Sequence, residues 1–351
     1  AFLGASYFRL LCKKSAYGLS ARGIAVNTAQ AGGEEFPRFT EFWVSRPANN
    51  AKGIEIFALL EGPSVTGDYR FFILPGADTV TQVRAALFPR QAMAVLGVAP
   101  LTSMFWRGEN SRQQTDDFRP EVHDSDGLSI LTGANEWIWR PLSNPKELRV
   151  MSFADDNPRG FGLLQRDRDF FHYEDLEANY QSRPSAWVEP VGAWGKGCVR
   201  LVEIPTANEF SDNMVAFWVP EAPVVAGMAL EFEYRIHWSL ERTRSREVGF
   251  ATATRLGRST AHEPDLERIA LDFDGAGVRP LPASTPPEPV MWVGDGAKLT
   301  HVYVQKIPAS GAWRVMASVK ADGTGRPVEM RCFLRREGRP LTETWSYLWQ
   351  P

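Results

Sequence analysis

Cysteine is scarce in this 351-residue chain: there are three, Cys12, Cys198 and Cys332, far apart and without a CxxC pair. That spacing excludes the common zinc and dithiol motifs and leaves room for one disulfide at most; none is expected. The histidines show neither HxxxH nor HxH spacing, so a histidine-built metal centre is not expected either. GxSxG, a glycine-rich phosphate loop and a dinucleotide fingerprint are all missing, which argues against serine hydrolases, nucleotide enzymes and dehydrogenases. No cofactor is expected. No apolar run reaches the length of a transmembrane helix. An excess of positive charge is also lacking: 39 Lys and Arg face 42 Asp and Glu. Nucleic acid and anionic membrane surfaces select a basic face, so neither is an expected partner, whereas a neutral ligand fits.

The chain opens without Met, and its first residues have no basic segment before an apolar run, so they do not read as a signal peptide. The expectation is a fragment or a processed form.

What is abundant is aromatic side chain, with twelve Trp. Such rings pack β-sandwich cores or form stacking platforms for sugars. The chain's texture is one of short alternating runs between Gly, Pro, Asp and Asn turns. Examples are Gly53–Leu60, Asp68–Leu74, Val199–Ile204, Met214–Val219 and Leu230–Trp238. Period-two runs at this spacing predict an all-β sandwich or barrel. Helix is expected only at Pro89–Leu96 and Asp175–Tyr180. The charged stretch Glu241–Glu247 reads as a connection, or equally as the exposed end of a hairpin. Beyond it, strand patterns at Ile269–Phe273, Leu299–Gln305, Trp313–Lys320, Val328–Arg335 and Thr344–Leu348 have the number and spacing of an immunoglobulin-like sandwich. The domain expectation is therefore a β-sandwich over 1–240, a linker over 241–250 and a smaller β domain over 251–351.

Candidate chemistry gathers between residues 100 and 215. Asp124 lies in Glu121-Val122-His123-Asp124-Ser125-Asp126-Gly127, and Asp212 in Glu209-Phe210-Ser211-Asp212-Asn213. Two carboxylates in one aromatic-rich cleft are what acid/base cleavage of a glycosidic bond requires. Each also suits a plain turn, since Asp, Asn and Gly dominate turns. The Asp-x-Asp-Gly spacing begins like a calcium loop but lacks its later ligands. Trp137 and Trp139 share one face of a strand, where they line either a core or a cleft. Arg140, Arg166 and Glu209 supply the polar partners that sugar hydroxyls demand, although the Arg166–Asp169 run also fits a solvated ion-pair ladder. His123 reads as structural.

Taken in order, the motifs resemble the periplasmic glucan-biosynthesis proteins G and D of Proteobacteria. They include Tyr17-Gly18-Leu19-Ser20-Ala21-Arg22-Gly23, Arg119-Pro120-Glu121-Val122-His123-Asp124-Ser125 and Glu136-Trp137-Ile138-Trp139-Arg140-Pro141. Further along come Gly160-Phe161-Gly162-Leu163-Leu164-Gln165-Arg166, Arg183-Pro184-Ser185-Ala186-Trp187-Val188 and Thr342-Glu343-Thr344-Trp345-Ser346-Tyr347. The resemblance covers nearly the whole chain. It implies a large β-sandwich of mutarotase-like supersandwich type, followed by an immunoglobulin-like β-sandwich. Family members carry a longer N-terminal part, with a signal sequence and further strands, so the first sandwich is expected to lack strands and to expose an edge. The family is similar to glycoside hydrolase family 186, which acts on β-1,2-glucan with inversion. On that likeness Asp212 is the general acid, Asp124 the general base and Tyr180 a substrate contact, with Trp137, Trp139, Arg140, Arg166 and Glu209 shaping the cleft. It implies the periplasm as location, β-1,2-glucan as partner and an inner-membrane glucan synthase as a neighbour. Relatives that cyclise the glucan by transglycosylation, and a non-catalytic glucan-binding scaffold, are the alternatives. The residues distinguish neither G-type from D-type nor one oligomeric state from another.

Overall fold

The computed structural model describes residues 1–112, 116–245, 247–258 and 266–351. Arg246, inside the stretch read as a connection, lies outside the described residues. The described secondary structure is almost entirely β-strand, as the period-two pattern predicts. The chain divides into two compact units: residues 1–106, 122–135 and 144–242 form one, and residues 107–121, 136–143 and 243–351 form the other.

In the first unit, one sheet runs in the order Tyr7–Phe8, Ser20–Arg22, Leu96–Ser103, Met214–Pro220, Lys196–Glu203, Arg149–Asp156, with Ile24–Val26 also on Leu96–Ser103. Eight further strands of this unit follow one another in a second sheet: Gly127–Leu131, Gly160–Leu164, Ser185–Val191, Leu230–Ser239, Thr79–Pro89, Val65–Leu74, Ile54–Glu61 and Arg38–Val44. Thr79–Pro89 alternates between buried and more open positions throughout, and Val65–Leu74 does so as far as Phe72, as strands with one face on a core must. Leu96–Ser103 and most of Met214–Pro220 are buried on both faces. The two sheets pack through aromatic rings. Phe8 of the first sheet meets Phe71 and Trp238 of the second at 5.2 and 6.4 Å, and the Tyr69 hydroxyl donates to the Gly23 carbonyl at 2.8 Å. The unit is thus a β-sandwich. Arg38–Val44 is the last strand of its sheet, and its Phe42, Trp43 and Val44 are all exposed.

The second unit holds the four-stranded sheet Phe250–Arg258, Leu266–Asp274, Trp313–Ala321, Ala297–Lys306 and, separately, the run Glu288–Val293, Val328–Arg336, Thr344–Trp349, Trp137–Pro141. The segment 136–143 belongs here because Trp137–Pro141 pairs in parallel with Thr344–Trp349, Trp139 opposite Trp345. Trp345 ties this run to the four-stranded sheet, its indole N–H donating to the Thr254 hydroxyl at 2.9 Å.

Neither expected helix forms at its expected place. Within Pro89–Leu96 the backbone donors are taken elsewhere: Met93 N–H reaches the Val224 carbonyl at 3.3 Å and Val95 N–H the Asn27 side chain at 3.1 Å. Within Asp175–Tyr180, the Asp175 carboxylate accepts from the N–H of Glu177 and Ala178, and Asn179 is left-handed at φ 49°, so the segment turns instead of winding. One helical turn, Phe170–Tyr173, precedes it, and a 3-10 turn, Tyr180–Ser182, follows.

Gly160 and Gly162 have a specific reason to be glycine. They lie opposite Ser185–Val191, and the Trp187 ring covers Gly160 so closely that a Cβ there would sit 2.2 Å from it. A Cβ on Gly162 would meet the Ala186 carbonyl oxygen at 2.3 Å and the Trp187 Cα at 2.8 Å, both backbone atoms that cannot swing aside. Gly162→Ala is therefore expected to destabilise the first unit by about 2 kcal/mol, read as a lower urea midpoint for its unfolding.

Candidate functional site

Asp124 and Asp212 both belong to the first unit, and each is placed by a structural neighbour. Asp124 follows the short strand Val122–His123 and is 3% exposed; its N–H donates to the Met104 carbonyl at 2.8 Å. Two residues on, Asp126 closes the turn by accepting the N–H groups of Arg166, at 3.0 Å to each oxygen, and of Asp167, at 2.9 Å. Within one four-residue motif, then, Asp126 does the turn-forming work that the sequence also allowed for Asp124. Between them, Ser125 is buried and its hydroxyl accepts from Ser103 at 2.9 Å. His123 is fully buried, stacked on Phe105 at 5.3 Å, with its Nδ1 2.9 Å from the Gln165 side-chain oxygen, in the structural role expected.

Asp212 stands at the end of the loop joining Lys196–Glu203 to Met214–Pro220. Asn213 anchors that loop. Its side-chain oxygen accepts the Phe105 N–H at 2.9 Å, and its amide donates to the carbonyls of Phe105 at 3.0 Å and Ile204 at 2.9 Å. Asn144 holds the other arm through Thr206, exchanging hydrogen bonds of 3.0 and 2.8 Å with its backbone. Asp212 is left partly open, its side chain 31% exposed.

Two guanidiniums face the pair. Arg183 Nη1 donates to Asp124 Oδ1, and the same guanidinium lies over the Tyr180 ring, 4.4 Å from its centre. Arg183 Nε is fixed on the Ala178 carbonyl at 3.0 Å. Arg9 Nη2 lies 3.4 Å from Asp212 Oδ2, and Arg9 Nε donates to Ser20 Oγ at 2.6 Å. Burial raises the Asp124 carboxyl above the ordinary carboxylate range, while Arg183 and then Arg9 pull it back down. Burial also raises Asp212, and the nearby Asp124 charge raises it further, against Arg9 and Arg183. The Asp124 charge acting on Asp212, and Arg9 and Arg183 acting on both, make these groups one electrostatic site.

Tyr180 is buried among Met104, Val122 and Tyr173, and its hydroxyl donates to Glu209 Oε2. Burial, with Glu209 adding to it, pushes this phenol well above its usual range, so it keeps its proton. Glu209 thus sits beside Tyr180 on the same loop as Asp212. Phe210, next in the chain, projects into solvent, 87% exposed.

The other residues expected at a cleft are Arg166, in the first unit, and Trp137, Trp139 and Arg140, in the second. Arg166 is buried in the first unit, where its backbone N–H serves Asp126. Trp137, Trp139 and Arg140 belong to the second unit; Trp139 is buried opposite Trp345, and Arg140 donates to Ser346 Oγ at 2.8 Å and pairs with Glu329 at 2.5 Å. Two of the site's charged groups, Arg9 and Arg183, were missed from sequence. A distant trace of Arg183 is Gly18, whose absent Cβ would fall 2.8 Å from the Arg183 Cβ.

Two sheets folded into a sandwich, with paired carboxylates and guanidiniums set in the loops between strands, define an all-β protein with an open charged site. Comparison with known proteins gives the family. The chain belongs to the family described as "Periplasmic glucan biosynthesis protein, MdoG", whose model matches residues 1–349. It is 50% identical to a "Glucans biosynthesis protein G" of Ralstonia nicotianae, over 100% of this chain and 71% of that protein. It is 48% identical to a protein of the same name from Sodalis glossinidius, over 99% of this chain and 68% of the relative. A third, from Pseudomonas aeruginosa, is 46% identical over the same shares.

Asn213→Ala would strip partners from one buried N–H and two carbonyls at once. The expected cost is about 3 kcal/mol, measurable as a lowered denaturation midpoint, and the loop bearing Asp212 should gain amide hydrogen exchange.

Proposed function

We propose that the protein is a periplasmic enzyme that cleaves β-1,2-linked glucan with inversion at the anomeric carbon, Asp212 acting as general acid and Asp124 as general base. The observation that carries this reading is the electrostatic pairing of two carboxylates with unequal surroundings. Asp212 is partly open and raised by burial and by Asp124. A raised carboxyl keeps its proton closer to neutral pH, which an acid requires. Asp124 is buried but ion-paired with Arg183, and a guanidinium favours the ionised form that a base requires.

In this reading Asp212 protonates the glycosidic oxygen as the bond to the anomeric carbon breaks. Asp124 takes the proton released by the attacking water, directly or through an intervening hydroxyl. Inversion needs room between the two carboxyls for the nucleophile. Tyr180, kept protonated beside Glu209, presents a polar edge to sugar hydroxyls, and the open ring of Phe210 an apolar face to a pyranose.

The test is incubation with linear β-1,2-glucan, analysed for chain length, new reducing ends and anomer. Asp212→Asn is expected to reduce product formation by roughly a thousandfold while glucan binding survives. Wild-type turnover should fall as pH rises through the Asp212 pKa, because the acid loses its proton. Cyclic products without new reducing ends would assign transglycosylation instead. Binding without any product would assign a scaffold, and equal rates for wild type and Asp212→Asn would refute the acid.

A further inference from the structure

We propose that Arg9 is a positioning residue for the acid: it holds the Asp212 carboxyl in place and stabilises the negative charge that group gains as its proton leaves. The inference rests on the reading of Asp212 as the acid. Its physical basis is geometric. Arg9 directly follows the strand Tyr7–Phe8, and its Nε is fixed by the hydroxyl of fully buried Ser20 at 2.6 Å. The anchored guanidinium then reaches Asp212 with a single Nη2 contact of 3.4 Å.

This contact differs in kind from that between Arg183 and Asp124. The latter is a close pair with Asp124 almost fully enclosed, whereas the side chains of Arg9 and Asp212 are each 31% exposed. A tight bidentate clamp would hold a carboxylate ionised and unable to serve as an acid. One long contact leaves Asp212 able to carry a proton and still offers a cation when the proton departs. Charge stabilisation by a group already in place is the form of electrostatic help that needs no rearrangement during the reaction.

The charged and titratable groups facing Asp212 are few. Arg9 and the phenol of Tyr7 come from the N-terminal segment, Asp124 follows the strand Val122–His123, and Arg183 follows the 3-10 turn Tyr180–Ser182. Of the two cations, only Arg9 makes a direct contact with Asp212 among the described residues. Because Arg9 favours the anion, removing it has two effects of opposite appearance. The acid holds its proton to higher pH, and it gives that proton up less readily. A purely structural Arg9 would lower activity without moving the pH limb.

The experiment compares wild type, Arg9→Met, Arg9→Lys and Ser20→Ala. In Arg9→Met the alkaline limb of kcat against pH is expected to move up by roughly one pH unit, while the plateau rate falls roughly tenfold. Arg9→Lys keeps the charge and should return the limb toward its wild-type position. Ser20→Ala, which frees the guanidinium without removing it, should move both quantities the same way as Arg9→Met but less, and it serves if Arg9→Met fails to fold. In parallel, the Asp212 carboxyl is titrated by carbon-13 NMR without glucan, its signal assigned by loss in Asp212→Asn. An upward shift of that titration in Arg9→Met supports the contact independently of cleavage. If Asp212→Asn abolishes cleavage but neither the NMR titration nor the limb moves in Arg9→Met, the role of Arg9 is wrong. If the titration moves while Asp212→Asn still cleaves at the wild-type rate, the acid assignment fails and this inference falls with it.

Discussion

The ion pair between Arg183 and Asp124 is the constraint around which the candidate site is arranged. A carboxylate as enclosed as Asp124 is not tolerated as a bare charge, and stripping one partner from a buried pair typically costs about 3–5 kcal/mol. The guanidinium must therefore arrive accurately, and several unrelated segments exist in the form they do to deliver it. Gly18 has no side chain where the Arg183 stem passes. Arg168 donates to the carbonyls of Gln181 and Arg183, fixing the backbone from which Arg183 departs. Gln165 holds the carbonyls of both His123 and Tyr180, coupling the strand before Asp124 to the turn before Arg183. The Tyr180 ring under the guanidinium is in turn positioned by the small core of Met104, Val122 and Tyr173.

Much of the fold was legible because β-structure writes itself locally. Leu230–Ser239 and Val65–Leu74 announce themselves by alternation, and the pairing of Val65–Leu74 with the strands before and after it follows from short turns. What alternation does not encode is which sheet a strand joins. Trp137 and Trp139 were correctly placed on one strand, but that strand pairs with Thr344–Trp349, some two hundred positions later, and takes Arg140 with it into the second unit. The helix expected at Pro89–Leu96 was misread for a related reason. At Met93 and Val95 the backbone donors are claimed by Val224 and Asn27, partners invisible to any local window.

The site shows the same division. Asp124 and Asp212 could be singled out because each sits in a polar turn, but so do Asp126 and Asn213, and nothing local separates the pairs. The structure separates them by donors. Asp126 and Asn213 are saturated by backbone groups and hold the turns, leaving Asp124 and Asp212 to face side chains. Arg9 and Arg183 had no local mark, since their meaning comes only from carboxylates more than fifty residues away.

The unequal enclosure of the two carboxylates is also what the proposed division into acid and base draws on. Both are raised by burial, and both feel Arg9 and Arg183. Asp124 is locked against its cation, so protonating it in the resting state would break a charge-assisted hydrogen bond inside the protein. That ion pair favours the ionised form against the burial that raises the group. Asp212 has a looser cation, an anionic neighbour and access to solvent. Protonation of Asp212 relieves repulsion from Asp124 and sacrifices only a long contact to Arg9. Once the proton has passed to a leaving group, that repulsion returns, and water reaching the open side of Asp212 can restore the proton. In the proposed mechanism the same pair of charges, set at different depths, gives the site a direction: a proton leaves from the open aspartate and one is taken up by the enclosed aspartate.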